Sequence, residues 1–140
     1  MSKSFPSERE GQLHFFQNFG INIDENDVLI ANTDGVYNGN IFEFKLNINN
    51  TQQVLFQAIK YLSRLRITGN PVPKNILLVS LNQSRVYVFD SGDYFEEIHK
   101  IYYGGASKNN DGFAIKNQPI EIDYSMSIGA DKVLKLLKEN

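Results

Sequence analysis

Alternating apolar and polar positions mark a β-hairpin in the segment from Thr33 to Leu46. The apolar residues of its second half take every other position: Phe42, Phe44 and Leu46. Glu43 and Lys45 fall between them. Successive side chains of a strand point to opposite faces, so the apolar residues are expected on a core face and the charged pair on the other. Asn38-Gly39 is a favoured dipeptide for the tight turn that would join the two strands.

Three segments show the apolar spacing of amphipathic helices. The first, from about Glu8 to Asn18, begins with a Ser-x-x-Glu capping box at Ser7. The second runs from about Gln52 to Ile67 after the candidate N-cap Thr51, and its broad apolar stripe is typical of a helix packed on a sheet. That stripe comprises Val54, Leu55, Ala58, Ile59, Leu62 and Leu65. The third, Asp131–Lys138, is expected to be anchored by Val133, Leu134, Leu136 and Leu137.

Further strands are expected on both sides of the second helix. Val28–Ala31 begins the sheet, and Asn75–Leu81 with Arg85–Phe89 forms a second hairpin. The first strand of that hairpin is apolar on both faces, which predicts a central position. Ile120–Tyr124 alternates like an edge strand, whereas Tyr94–Tyr103 suits either a short helix or a strand.

These elements predict one domain, residues 1–140, of the α/β (α+β) class, with a mixed central sheet flanked by helices. The sequence contains no cysteine, which excludes disulfides and thiolate metal sites, so any metal would be bound by oxygen or by one of two histidines.

The sequence also lacks an apolar run long enough to span a bilayer, and it has no signal-peptide segment at its start. A cytoplasmic protein is therefore expected.

The charges are unevenly distributed along the chain, although the net charge is only -2. From Phe44 to Phe89 there is no acidic residue, and the basic residues of that span are Lys45, Lys60, Arg64, Arg66, Lys74 and Arg85. Two interpretations stay open: a surface that binds a polyanion, or ordinary solvated positions on a helix and loops. Lys108, in the glycine-rich loop Gly104–Gly112, is a further candidate contact to a phosphate backbone.

The first hairpin also carries candidate metal chemistry. Pairing of its strands would bring Asp34 beside Glu43 and Lys45, and two carboxylates with a lysine can hold a hard divalent cation and position a water. The alternative is a salt bridge on a half-exposed hairpin.

Polar residues on the predicted helices offer further candidates. On the second helix, Gln57, Tyr61 and Arg64 form one polar row along the apolar stripe, or else they are ordinary surface residues. On the first helix, Glu10 and His14 share a face and could bind a metal together, or else His14 is a packed residue.

The order of these motifs resembles the PD-(D/E)xK nuclease superfamily. Asp34, the triplet Glu43-Phe44-Lys45 and the helical segment Gln57–Tyr61 follow one another as strand, strand and helix, and the last resembles the glutamine and tyrosine motif of RecB-type members. Thr33 stands where the family name places proline, and the glycine-to-histidine signature of the first helix is blurred in Gly11–His14. The chain is also similar to nuclease domains at the N-termini of restriction-modification polypeptides, which would make it a fragment of a larger polypeptide.

The resemblance implies a restriction-endonuclease-like fold and hydrolysis of DNA that depends on Mg²⁺, with Mn²⁺ able to substitute. Asp34, Glu43 and the main-chain carbonyl of Phe44 would bind the metal. Lys45 would orient the attacking water or help to deprotonate it. Gln57 would border the site and brace the lysine or the DNA.

The resemblance also implies contacts from both helices. Glu10 is the candidate ligand from the first helix, ahead of Glu8 and His14. The residues expected to contact DNA are Lys60, Tyr61, Arg64, Arg66 and, from the later loop, Lys108.

Two other functional classes are considered. One is a non-catalytic nucleic-acid-binding or assembly module that retains the nuclease fold. The other is a small-molecule enzyme, for which the sequence offers neither a nucleophile paired with a base nor a cofactor fingerprint.

Overall fold

The structure is a computed structural model, which describes residues 5–21, 36–69, 71–104 and 113–138, without the side chains of Tyr37 and of residues 100–104. The elements in chain order are α1 (Glu8–Asn18), β1 (Val36–Tyr37), β2 (Asn40–Lys45), α2 (Thr51–Ile67), β3 (Asn75–Ser80), β4 (Arg85–Asp90), a 3₁₀ turn (Ser91–Tyr94), α3 (Phe95–Gly104), β5 (Ile120–Asp123) and α4 (Ser127–Lys138). Among the described helices, none is long and apolar enough to cross a membrane.

The strands that the structure describes form one five-stranded sheet in the order β1-β2-β3-β4-β5. β2 and β3 are parallel and are connected through α2, whereas the other neighbouring strands are antiparallel. A parallel pair needs such a crossover, because a short turn can join only antiparallel strands. The predicted mixed sheet with flanking helices is confirmed. The strand predicted at Val28–Ala31 lies outside the described residues.

One face of the sheet is covered by α1 and α4. Phe42 and Phe44 point to this face, where the ring centroid of Phe16 lies 5.1 Å from that of Phe42 and 5.4 Å from that of Phe44. Val133 and Leu137 of α4 complete the same core. The expected burial of alternate positions on β2 is therefore confirmed, with Phe42 and Phe44 almost fully buried and Leu46 partly buried.

The other face is covered mainly by α2, and α3 packs beside α2. All six residues of the predicted α2 stripe are buried: Val54, Leu55, Ala58, Ile59, Leu62 and Leu65. They pack over Ile41, Ile76 and Leu78 of the two parallel strands. This packing is what an amphipathic helix on a sheet requires, so α2 fixes the surroundings of the β2 side chains that point toward it.

The local signals in the sequence correspond closely to the observed turns and caps. Asn38 and Gly39 take φ angles of 50° and 80°, as the predicted hairpin turn requires. α1 has the predicted bounds, and the Ser7 side chain accepts a hydrogen bond from the Glu10 amide. The N-cap of α2 is Asn50 instead of Thr51, because the Asn50 side chain accepts a hydrogen bond from the Gln53 amide at 3.1 Å.

The later elements confirm some predictions and correct others. β3 is the buried middle strand and β5 is an edge strand of the described sheet, both as predicted. The ambiguous segment after β4 is helical, and burial of Tyr94 and Ile98, four residues apart, fits that periodicity.

α4 differs from its prediction in two ways. It begins at Ser127, one turn before the predicted start at Asp131. Leu134, expected to be an anchor, is 39% exposed, whereas Val133 and Leu137 are fully buried. Glycine is a weak helix former, so the sequence offers no reason to begin the helix before it. The early start nevertheless requires glycine at position 129, because this residue lies directly against β5 and leaves no room for a side chain.

Replacing Gly129 with alanine should destabilise the protein. A Cβ atom there would lie 1.8 Å from the Asp123 carbonyl oxygen, so α4 would have to move away from the strand. Alanine normally favours a helix interior by about 1 kcal/mol relative to glycine, but overpacking costs about 1–3 kcal/mol or more. We expect a net decrease in the free energy of unfolding, measured by urea denaturation. Gly11→Ala is the comparison, because its Cβ would meet only the flexible Leu81 side chain, at 2.5 Å. An equal or smaller cost for Gly129→Ala would contradict this packing.

Asparagine side chains connect the hairpin turn to the end of α4. The Asn38 side-chain amide donates to the Leu137 carbonyl at 2.9 Å, and that of Asn40 donates to the Leu136 carbonyl at 3.2 Å. The buried Asn40 also accepts a hydrogen bond from Asn75, at the start of β3. These contacts satisfy carbonyls that the helix end leaves without partners, and they fix the turn that precedes β2.

Candidate functional site

Glu43 and Lys45 lie side by side on the face of β2 that points toward α2. The Lys45 Nζ atom is 4.0 Å from the Glu43 Oε1 atom. The side chains are 30% and 19% exposed for Lys45 and Glu43, respectively. This placement confirms the predicted alternation along β2. At 4.0 Å the two head groups attract each other without a direct hydrogen bond, so a water could contact both.

The pair lies toward the carboxyl ends of the two parallel strands. Glu43 is the neighbour of Leu78 and Lys45 the neighbour of Ser80 on β3. Ligands of open α/β sheets commonly bind beyond the carboxyl ends of the strands. Of the neighbouring strands that the structure describes, only β2 and β3 are parallel, so this tendency applies to that pair alone.

A polar network supports the backbone that leaves β2 after Lys45. The buried Ser80 hydroxyl accepts a hydrogen bond from the Ile48 amide at 3.0 Å and donates one to the Gln83 side chain. The amide of Leu81 donates to the Lys45 carbonyl at 2.9 Å. Ser80 is not among the residues predicted from the sequence, although a serine at the end of an apolar strand is a visible signal.

Gln57 and Tyr61 lie partly buried on α2. α2 connects the end of β2 to the start of the parallel strand β3, so it runs antiparallel to both, and its first turns lie at the Lys45 end of the sheet. Tyr61 packs against the core under the helix. Its hydroxyl oxygen is buried and, within the part of the chain that the structure describes, has no hydrogen-bond partner. An unpaired buried hydroxyl is costly, which makes Tyr61 notable. We refer to Glu43, Lys45, Gln57 and Tyr61 as the candidate site.

The basic residues of α2 are spread over its length. Lys60 lies with its amino group 5.9 Å from the centre of the Phe56 ring. Arg64 and Arg66 are exposed in the last turn. At 1.5 Å per residue, Arg66 is about 13 Å beyond Gln57 along the helix axis. Favourable interaction with the helix C-terminus is a second reason for arginines there. Their predicted contacts to DNA stay predictions.

The candidate ligand of the first helix lies on the opposite side of the sheet backbone. Glu10 is exposed in the first turn of α1, which packs on the Phe42 and Phe44 face. Glu43 points to the other face. Glu8 is exposed as well. His14 is exposed and its ring centroid lies 5.2 Å from that of Phe5. The choice among Glu10, Glu8 and His14 stays open.

The described residues supply only part of the predicted metal ligand set. They contain no group of three or more His, Asp or Glu side chains arranged to hold a metal ion. Glu43 contributes one carboxylate, and Phe44 can contribute only its carbonyl, since its ring is buried on the other face. Oxygen donors fit a hard divalent cation. The second carboxylate, Asp34, and the predicted phosphate contact Lys108 both lie outside the described residues.

Arg85 lies on the same face as Lys45, on the far side of Ser80. Its Nη1 atom is 3.3 Å from Asp123 Oδ2, and its Nε atom is 3.7 Å from Glu121 Oε2. Hydrogen bonds from Ser125 lower the pKa of Asp123, and its charged form is therefore favoured beside Arg85. The acidic residues of β5 thus compensate the charge of Arg85. The acid-free span of the sequence did not predict this, because β5 is far from Arg85 along the chain.

Comparisons of this chain with protein-family models, with curated proteins and with solved structures found no match. Function is therefore inferred from the candidate site itself. This site includes an acid and a lysine near the carboxyl ends of a parallel strand pair. Gln57 and Tyr61 lie partly buried on α2, the helix that covers the same face of the sheet.

Proposed function

We propose that this protein is a metal-dependent nuclease that hydrolyses phosphodiester bonds of DNA at the candidate site. One observation carries the proposal: the carboxylate of Glu43 and the ammonium of Lys45 are neighbours, partly exposed, near the carboxyl end of the parallel pair β2 and β3. A carboxylate that can bind a hard cation and a lysine that can bind a phosphate oxygen or a water are the groups such hydrolysis needs.

The observed register of the first hairpin supports Asp34 as the second carboxylate of the proposed metal site. Val36 is paired with Ile41, and Tyr37 with Asn40. The proposal requires this pairing to continue by two further residue pairs, which would set Asp34 opposite Glu43. Directly opposed residues of an antiparallel pair have Cβ atoms about 4.5–5.5 Å apart, on one face. Two carboxylates at that separation are close enough to share one cation.

Asp34, Glu43 and the Phe44 carbonyl would hold Mg²⁺, or Mn²⁺ in its place. Glu10, which the sheet backbone separates from Glu43, is left out of this ligand set. When bound, the cation would neutralise the charge that develops on the scissile phosphate. Lys45 would donate hydrogen bonds to the phosphate and hold the attacking water. Gln57 and Tyr61 would border the substrate, and the basic residues of α2 with Lys108 would bind phosphates without reading bases. The partners proposed beyond DNA are further domains of a restriction-modification polypeptide.

Replacing Tyr61 with phenylalanine tests the stability of the fold and the cleavage of DNA separately. Because its hydroxyl has no partner among the described residues, Tyr61→Phe should leave the free energy of unfolding unchanged or raise it by up to about 1 kcal/mol. If DNA binding exposes this buried hydroxyl and it then donates to the substrate, the same change should lower the cleavage rate about two- to tenfold. Urea denaturation and initial rates of DNA cleavage measure the two effects.

Tyr94→Phe is the matched control for Tyr61→Phe. The Tyr94 hydroxyl is also buried, but it accepts a hydrogen bond from the Lys116 amide at 3.0 Å. Its loss should therefore destabilise the protein by about 1 kcal/mol and leave cleavage unchanged. If Tyr61→Phe lowers the free energy of unfolding but cleaves DNA normally, the Tyr61 hydroxyl contributes only to the stability of the core.

The test of the proposed activity compares duplex, single-stranded and branched DNA, with Mg²⁺, with Mn²⁺ and with chelator. We expect cleavage of at least one DNA form only when a divalent cation is present. DNA binding without cleavage, together with no thermal stabilisation by either cation, would instead identify a non-catalytic nucleic-acid-binding module.

A further inference from the structure

A groove separate from the candidate site lies where the end of α2 meets α3 and the loop before β3. Its volume is about 560 Å³, and its lining consists of Arg66, Val72, Phe95, Glu96, Ile98 and His99. We call this the distal groove. The volume is within the range of about 300–1,000 Å³ that is usual for pockets binding small ligands. Two turns of an α-helix with side chains fill about 1,000 Å³, so a nucleotide fits this groove better than a peptide helix.

Phe95 is the most unusual residue of the groove. It is 55% exposed, although the neighbouring Ile98 is fully buried. A large aromatic ring held at the rim by the first turn of α3 offers a flat apolar surface to a ligand. Exposed aromatic rings of this kind serve as stacking platforms for unpaired bases, since every base has a π face.

As far as the structure describes the chain, the basic residues near the groove are without ion pairs, whereas its acidic residue faces Lys116. Arg66 lines it, while Arg64 lies in the same last turn of α2 and Lys74 follows Val72 in the loop. Within the described ranges none of these three residues forms an ion pair. The acidic residue of the groove, Glu96, lies 3.8 Å from Lys116. Charge complementarity therefore favours an anionic occupant with a flat apolar part.

We propose that the distal groove binds a single-stranded segment of nucleic acid, with a base stacked on Phe95 and a phosphate bound by Arg66. This inference rests on the proposed nuclease function and deepens it, because it makes single-stranded or frayed DNA the substrate class. A duplex keeps its bases stacked on one another and cannot offer them to Phe95. Arg66 lies about 13 Å from Gln57 along α2, so a strand bound in the groove has to extend over about that distance to reach the candidate site.

Binding of a fluorescein-labelled single strand of twelve deoxynucleotides, followed by anisotropy in chelator, tests the groove without any cleavage. Phe95→Ala and Arg66→Ala should each weaken binding at least about fivefold, whereas Phe95→Trp should retain it. Arg66→Ala should also reduce the slope of log affinity against log salt by about 0.7. The matched controls are Met126→Ala, an exposed apolar residue far along the chain, and Arg9→Ala, an exposed arginine of α1. Both should bind like wild type.

The outcomes separate this inference from the proposed nuclease function. If wild type cleaves DNA but Phe95→Ala binds the single strand unchanged, the proposed role of the distal groove is overturned and the proposed nuclease function is retained. Binding that depends on Phe95 and Arg66, without cleavage under any metal condition, would support the groove and overturn the nuclease. Equal losses in Phe95→Ala and Met126→Ala, or displacement of the strand only by an acidic helical peptide, would overturn the single-strand assignment.

Discussion

Replacement of Lys45 by alanine is expected to abolish DNA cleavage and to leave DNA binding almost intact. The Lys45 ammonium lies 4.0 Å from the Glu43 carboxylate, at the point where the proposal places the scissile phosphate. Groups that move or hold a proton in the transition state contribute about 10²–10⁴-fold to the rate, so the loss should be of that size. Binding should change by less than about tenfold, because one of several phosphate contacts is removed. Initial cleavage rates and anisotropy of a labelled DNA measure the two quantities.

Lys132→Ala is the matched control, since Lys132 is an exposed lysine on α4. It should cleave and bind DNA like wild type. Nuclease activity that persists undiminished in Lys45→Ala would exclude Lys45 from the reaction. It would also return the hairpin to the simpler interpretation of a surface salt bridge.

Conversion of Glu43 to glutamine is expected to remove both cleavage and stabilisation by metal. Glutamine has the shape of glutamate but no charge, so the fold should persist while the affinity for a divalent cation falls. A ligand at 100 times its dissociation constant stabilises the folded state by about 2.7 kcal/mol. Wild type should therefore melt at a higher temperature with Mg²⁺ or Mn²⁺ than with chelator, and Glu43→Gln should not. Asp34→Asn should behave in the same way, because the proposal gives both carboxylates to one cation.

Glu121→Gln is the control for charge alone, since Glu121 is an exposed glutamate on the same face of the sheet. It should keep the thermal response to metal. If Glu43→Gln responds to Mg²⁺ as wild type does, the cation is bound elsewhere or not at all. A response lost in Glu43→Gln but kept in Asp34→Asn would show that the two strands do not pair as the proposal requires.

The basic span of the sequence does not form one continuous surface. Lys45 lies beside Glu43, and Arg85 is compensated by Glu121 and Asp123, which β5 brings next to it. The arginines in the last turn of α2 are without ion pairs in the described structure, and they lie beyond Tyr61 at the end of the helix that is remote from Lys45. The acid-free span of the sequence therefore divides into two regions in the folded chain. In the sheet the basic residues are paired with acidic ones, because strand pairing brings together residues that are far apart in the chain, whereas the arginines at the end of α2 form a separate cationic region.

The sequence by itself determined the elements whose signals are local. The bounds of α1, the turn at Asn38-Gly39 and the division of β2 into an apolar and a charged face follow from capping, turn chemistry and alternation. Each depends on residues only a few positions apart. The juxtaposition of Glu43 and Lys45 belongs to this class, since they are two positions apart on one strand.

The tertiary structure decided the features that depend on distant residues. The helical state of Phe95–Gly104 follows from packing against α2, and the start of α4 from the contact of Gly129 with the Asp123 carbonyl. The sheet backbone separates Glu10 on α1 from the face that carries Glu43. The distal groove joins the end of α2 to the first turn of α3. Alternation and capping cannot specify such contacts, because the free energy that fixes them comes from burial between segments that meet only in the folded chain.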